Sequence, residues 1–189
     1  MDTPMTDHSA PFLYSIATLI MDEDNADVVF SKNPAFAASL VSNPNLSAGW
    51  LVDKFDKNNY HTHILLRHHN FPMNELVAIA KSEPGMYGEN DIAMMSHNPN
   101  LSVEVMNIIC HSPSRAAMYG LVKNPTTPHN VLINMVECLH EYNPDYIVNF
   151  LMKFIMHPNY NRDVARAILT KFQGQLDEAS IDILLDSFQ

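Results

Sequence analysis

Glycine is scarce here, five in 189 residues. None builds a Gly-x-x-x-x-Gly-Lys phosphate loop, a Gly-x-Gly-x-x-Gly dinucleotide fingerprint or a Gly-x-Ser-x-Gly nucleophile elbow. Cysteine is scarcer still. Cys110 and Cys138 each sit inside an apolar helical pattern and read as small reduced hydrophobes, not a disulfide framework. Basic side chains number 11 against 21 acidic ones, a net charge of −10, which argues against holding a polyanion through a general field. Long apolar runs are missing too. The start, MDTPMTDHSAPFLYSIATLIMDEDNAD, has no basic segment ahead of an apolar stretch that Tyr14, Ser15 and Thr18 interrupt. Neither a signal peptide nor a membrane span is expected, and a cytoplasmic location fits. The Asn-Leu-Ser phrases at Asn45 and Asn100 therefore read as helix entries instead of glycosylation acceptors.

What is present is apolar and patterned. Apolar residues make up 47% and charged ones 17%, enough to build a core and too little charge for wholesale disorder. The phrase Asn-Pro-Asn-Leu-Ser occurs at Asn43 and again at Asn98, followed both times by an apolar helical run. The same order of breaker, polar residue and helix returns at His68 (HHNFPMNELVAIA), Asn124 (NPTTPHNVLINMV) and His157 (HPNYNRDVARAIL). Spacings of 25, 30, 26 and 33 residues separate the five copies. In each, the eighth, ninth, twelfth and thirteenth positions form a stripe at helical spacing. They read Val105, Met106, Ile109, Cys110 in one copy and Val131, Leu132, Met135, Val136 in another, while Lys54 and Glu75 are polar exceptions.

The phrase has a physical meaning. A residue before proline is pushed out of the α region, so Asn43, Asn98, Asn124 and His157 should end one helix. Pro44, Pro99, Pro125 and Pro158 then open the turn without wasting a donor. Ser47, Ser102 and Asn161 are placed to cap the next helix. Pro72 and Pro128 suit a first helical position, with Thr127 able to cap. Leu46, Leu101 and Tyr160 precede the caps and can staple onto Leu51, Met106 and Ala165. Shorter helices are expected between the corners, in PAFAASLVS, YHTHILLR, ENDIAMMSH, PSRAAMYGLVK and PDYIVNFLMKFIMH. The expectation is an all-α single domain: a flexible 1–10, an N-terminal cap over 11–32, repeats over 33–173 and a C-terminal cap over 174–189. The cap helices would bury Phe12, Ile16, Leu19 and Ile20 at one end and Ile181, Leu184, Leu185 and Phe188 at the other.

NPNLSVEVMNIIC and NPTTPHNVLINMV resemble the leucine-rich repeat variant units of bacterial and bacteriophage proteins, HEAT-like helical repeats in which an Asn-Pro-x-Thr-Pro corner joins short helices. The resemblance covers roughly residues 33 to 170, with His68-His69 and His157 departing from the pattern. It implies a right-handed α-solenoid of about five two-helix repeats and an interaction role without a defined reaction. One member carries an iron-sulfur cluster on an N-terminal cysteine-rich segment; this chain has no cysteine before Cys110, so no cofactor is expected.

Chemistry is sparse. Ten histidines invite a metal reading, with His61, His63, His68 and His69 the first candidates. No pair among them has the three- or four-residue spacing that puts two ligands on one helical face. Surface or capping roles are expected, a pH-sensitive contact being the alternative. The acidic run Asp22 to Asp27 lacks the ligand pattern of a calcium loop and reads as a solvated helix end. Among twelve methionines, Met94, Met95, Met118, Met135, Met152 and Met156 lie in helical stripes, as core filling or as a partner-binding groove. Trp50 is expected in the core. These residues favour a non-enzymatic protein-binding module with no membrane role. The alternatives are a helical-repeat nucleic-acid binder using Arg115, Lys123, Arg162, Arg166 and Lys171, and an acidic decoy of nucleic acid.

Overall fold

Five corners with one local geometry organise the chain. The computed structural model describes residues 22–83, 86–139, 144–172, 174–176 and 178–186. Residues 11–21 of the expected N-terminal cap lie outside them, as does Phe188. Among the described residues the protein is all-α, with no β-strand. They fall into two compact units, one ending at Pro72 and one beginning at Met73.

The first unit contains α1 (Glu23–Lys32), a 3-10 turn at Pro34–Phe36 running into α2 (Ala37–Leu40), α3 (Ala48–Lys54) and a second 3-10 turn at His63–Arg67. The acidic run is the beginning of α1: Asp22 accepts the Asn25 amide at 2.9 Å, and Glu23 and Asp24 suit the positive end of the helix dipole. Trp50 on α3 is buried. Its indole donates to Asp27 at 2.8 Å, Phe30 meets its edge at 5.8 Å, and Lys54 pairs with Asp27 at 3.1 Å. The polar exception at Lys54 is thereby explained: its half-buried stem reaches back to an α1 carboxylate.

The second unit contains α4 (Met73–Ala80), α5 (Glu89–Met95), α6 (Val103–Cys110), α7 (Arg115–Lys123), α8 (His129–Cys138), α9 (Pro144–Ile155), α10 (Arg162–Lys171) and α11 (Glu178–Asp186). Helices of this length are marginal alone and hold through packing. In chain order α4, α6, α8 and α10 pack each on the next, and so do α5, α7 and α9; α11 packs on α10. The stripes drive this arrangement. Val105, Met106, Ile109 and Cys110 are buried on α6, as are Val131, Leu132, Met135 and Val136 on α8 and Val164, Ala165 and Ile168 on α10. Met95, Met118 and Met135 are core residues, but Met152 and Met156 are exposed; core filling fails for these two because the burying face of α9 carries Phe150, Leu151 and Phe154 instead.

At every corner the amide of Asn43, His68, Asn98, Asn124 or His157 donates to the carbonyl three residues back, closing the preceding helical turn. The same residue's carbonyl then accepts the amide three residues ahead, at 2.9 to 3.4 Å. Pro44, Pro99, Pro125 and Pro158 all lie in turns. Ser47, Ser102 and Asn161 cap α3, α6 and α10. Thr127 does not cap. It is buried, and its hydroxyl donates to the Leu121 carbonyl at 2.7 Å, a second donor to the acceptor that the Asn124 amide already meets. Pro128 stands just before the helix, with extended ψ of 159°, not within its first turn. Proline itself is dispensable, since His69 occupies its place after His68 and the corner keeps its form.

Candidate interaction surface

The corner side chains link consecutive corners within each unit. In the second unit Asn124 is buried, and its Nδ2 donates to the carbonyls of Ser96 at 3.1 Å and Asn98 at 2.8 Å. Its Oδ1 accepts the Thr126 amide and hydroxyl. At the next corner His157 Nε2 meets the Asn124 carbonyl at 2.9 Å, and Asn159 Nδ2 donates to the carbonyls of Pro125 and Thr127. The first unit repeats this pattern. His68 Nε2 meets the Asn43 carbonyl at 2.7 Å, and Asn70 Nδ2 donates to those of Pro44 and Leu46. A buried carbonyl without a partner is costly, so these bonds fix the corners.

The histidines expected at the surface or as caps are thus partly interior. His68 and His157 are buried rungs, and His63 is buried with Nε2 at 3.1 Å from the Lys57 carbonyl. His61 lies against Tyr60, the rings tilted by 37° with centroids 3.8 Å apart, and His69 stacks on His68 at 4.5 Å. Burial lowers the His68 pKa from its ordinary value; the bond to the Asn43 carbonyl opposes this and the neighbouring His69 adds to it. The Cys110 thiol is pushed up to about 12, chiefly by burial. Among the described residues no three His, Cys, Asp or Glu side chains converge as metal ligands, and no helix is long and apolar enough to cross a membrane.

Two of the basic residues meet neighbours of their own. Lys171 pairs with Glu137 at 2.8 Å, and Lys123 lies 4.4 Å over the Tyr119 ring. Arg162 and Arg166 do come together, beside Leu185 in a hollow of about 720 Å³, although Arg166 also pairs with Asp163 at 3.1 Å.

A second cleft was not foreseen. It measures about 430 Å³ and opens between α4, α5 and α6. Ile79, Ile92 and Ile108 form its apolar floor with Tyr87, and Glu83 and Glu89 stand at its rim. Both glutamates are exposed, and neither is ion-paired among the described residues. Pattern reading assigned these isoleucines to helices. It could not show that Ile92 and Ile108, on consecutive helices, line one opening with Ile79. No protein-family profile, characterised protein or solved structure matches the chain.

Proposed function

We propose that this chain is a non-enzymatic protein-binding module, a right-handed α-solenoid of two-helix repeats of the leucine-rich repeat variant kind. Its partner contributes a segment pairing an aliphatic side chain with lysine or arginine. The cleft between α4, α5 and α6 is the observation that carries this reading: an apolar floor suits an aliphatic anchor, and the two rim carboxylates suit a basic neighbour. The recurring corner geometry and the packing of each helix on the next-but-one support the solenoid reading.

The test is a titration of the full chain, with isoleucine methyl groups labelled for NMR. Two synthetic peptide probes are used, one alternating leucine with arginine and one alternating leucine with glutamate. The arginine peptide should shift the Ile79, Ile92 and Ile108 methyls and the glutamate peptide should not. The response should vanish in Glu83→Lys/Glu89→Lys while the melting temperature holds. Peptide responses away from the cleft, or none at all, would sink the proposal. Binding of a duplex DNA or single-stranded RNA probe at physiological salt, lost in Arg162→Ala/Arg166→Ala, would replace it with the nucleic-acid reading.

A further inference from the structure

Two of the rungs differ from the asparagine rung in one chemical respect: they accept only a neutral ring. At Asn124 the amide has separate acceptor and donor atoms, and no proton can be added or removed near neutral pH. At His157, Nδ1 accepts the Asn159 amide at 3.0 Å while Nε2 faces the Asn124 carbonyl at 2.9 Å. At His68, Nδ1 accepts the Asn70 amide at 3.0 Å while Nε2 faces the Asn43 carbonyl at 2.7 Å. An amide hydrogen on one side and a carbonyl on the other assign the tautomer, with hydrogen on Nε2. A proton on Nδ1 would set two donors against each other and place a cation in a buried site. The same histidine appears once in each unit, and nothing in the corner geometry demands it, since asparagine serves at the other corners.

We propose that His68 and His157 are acid-sensitive latches, which hold their corners closed while the ring is neutral and let them open when it is protonated. The segment Pro34 to Leu46, which includes the corner facing His68, carries no titratable side chain. Along residues 61–72 the titratable side chains are His61, His63, Arg67, His68 and His69, with no carboxylate among them, and His69 stacks on the His68 ring. Opposite His157, residues 124–128 carry none either. Along the elements that flank this corner the first titratable residues in sequence are Lys123 on α7, His129 on α8, Lys153 on α9, and Arg162 and Asp163 on α10, and Asp163 pairs with Arg166. No carboxylate pairs with the His157 ring among the described residues.

For His68 the direction of the pH dependence follows. Burial lowers its folded-state pKa below the ordinary 6.5. Above that value both folded and unfolded states are neutral, and the rung contributes in full. As pH falls through 6.5 the unfolded chain takes up a proton that the folded chain refuses, so stability declines until the folded pKa is reached. The unfolding constant should rise by up to about tenfold per pH unit for the His68 latch in that window. Asparagine rungs add nothing to this slope.

The decisive measurement uses the full chain, with ring nitrogens and backbone amides followed by NMR from about pH 8 to about pH 5. Near pH 8 both rings should show the Nε2–H tautomer, and the Asn70 and Asn159 amides should resist hydrogen exchange. On acidification those two amides should lose protection before the Thr126 amide at the asparagine corner does. His68→Asn and His157→Asn should each flatten the acid-dependent loss in its own unit. A ring carrying hydrogen on Nδ1 near pH 8, or simultaneous loss of protection at all three amides, would overturn the proposal without reliance on any variant. An unchanged pH profile in folded variants would do the same.

Discussion

Asn124 uses every polar atom of its side chain in the interior. Its Nδ2 serves two carbonyls of the preceding corner, and its Oδ1 serves Thr126 twice. Asn124→Ala would leave the Ser96 and Asn98 carbonyls and the Thr126 amide without this partner while scarcely changing shape. We expect a loss of about 3 kcal/mol by urea denaturation, since each stranded buried group costs about 1–3 kcal/mol and the corner can admit some water. Asn124→Asp should cost more: it keeps the shape, removes both donors and turns a buried charge toward two carbonyl oxygens. A smaller loss for aspartate than for alanine would show that the donors are not what holds the corner. The residue's presence at a helix end was legible from the proline after it. Its bonds were not, because they reach a corner 26 residues earlier.

Between elements, the tightest fit lies where α5 ends against α7. A Cβ added at Gly120 would fall 1.7 Å from Ser96 Oγ and 2.9 Å from Ser96 Cβ. Rotating the hydroxyl is no remedy, because it donates to the Ala93 carbonyl at 2.6 Å and the Cβ clash would remain. Gly120→Ala should therefore destabilise by about 1–3 kcal/mol despite alanine's better helix propensity. Ser96→Gly/Gly120→Ala should recover more of that loss than Ser96→Ala/Gly120→Ala, which removes the Oγ clash and keeps the Cβ clash. Thermal unfolding of the three variants would separate a steric cause from a loss of backbone freedom. The helical stripes of α6 and α8 were visible in the sequence because their period matches one helix face. Gly120 was not, because a glycine inside a helix names no partner.

At the scale of the whole chain, charge opposes compactness. The excess of acidic over basic residues gives a net −10, and the ion pairs that offset it are largely solvated. In Lys81–Glu104 and Arg166–Asp163 both partners are more than half exposed, and such pairs contribute little. Screening should therefore relieve more repulsion than it removes attraction. Raising sodium chloride from about 0.05 to about 0.5 M should increase stability by about 1 kcal/mol, or roughly 2–4 °C in melting temperature for a chain of this size. A calorimetric melting temperature that falls with salt would show that specific pairs dominate.

The sequence by itself determined the helices, the corners and the buried stripes. These depend on local physics: the conformational limits around proline, the reach of a capping hydroxyl, and the 3.6-residue period of a helix face. Caps at Ser47, Ser102 and Asn161 were therefore legible, and so was the burial of Trp50. Thr127 was misjudged because a threonine before a helix can cap it or turn back, and only the position of the Leu121 carbonyl selects between the two. The tertiary structure alone decided which distant groups meet. It joined His68 to Asn43, Asn124 to Asn98 and His157 to Asn124, and brought Ile79, Ile92 and Ile108 to one cleft. The rungs join corners some 25 to 33 residues apart along the chain, a separation over which no single helix or turn transmits register.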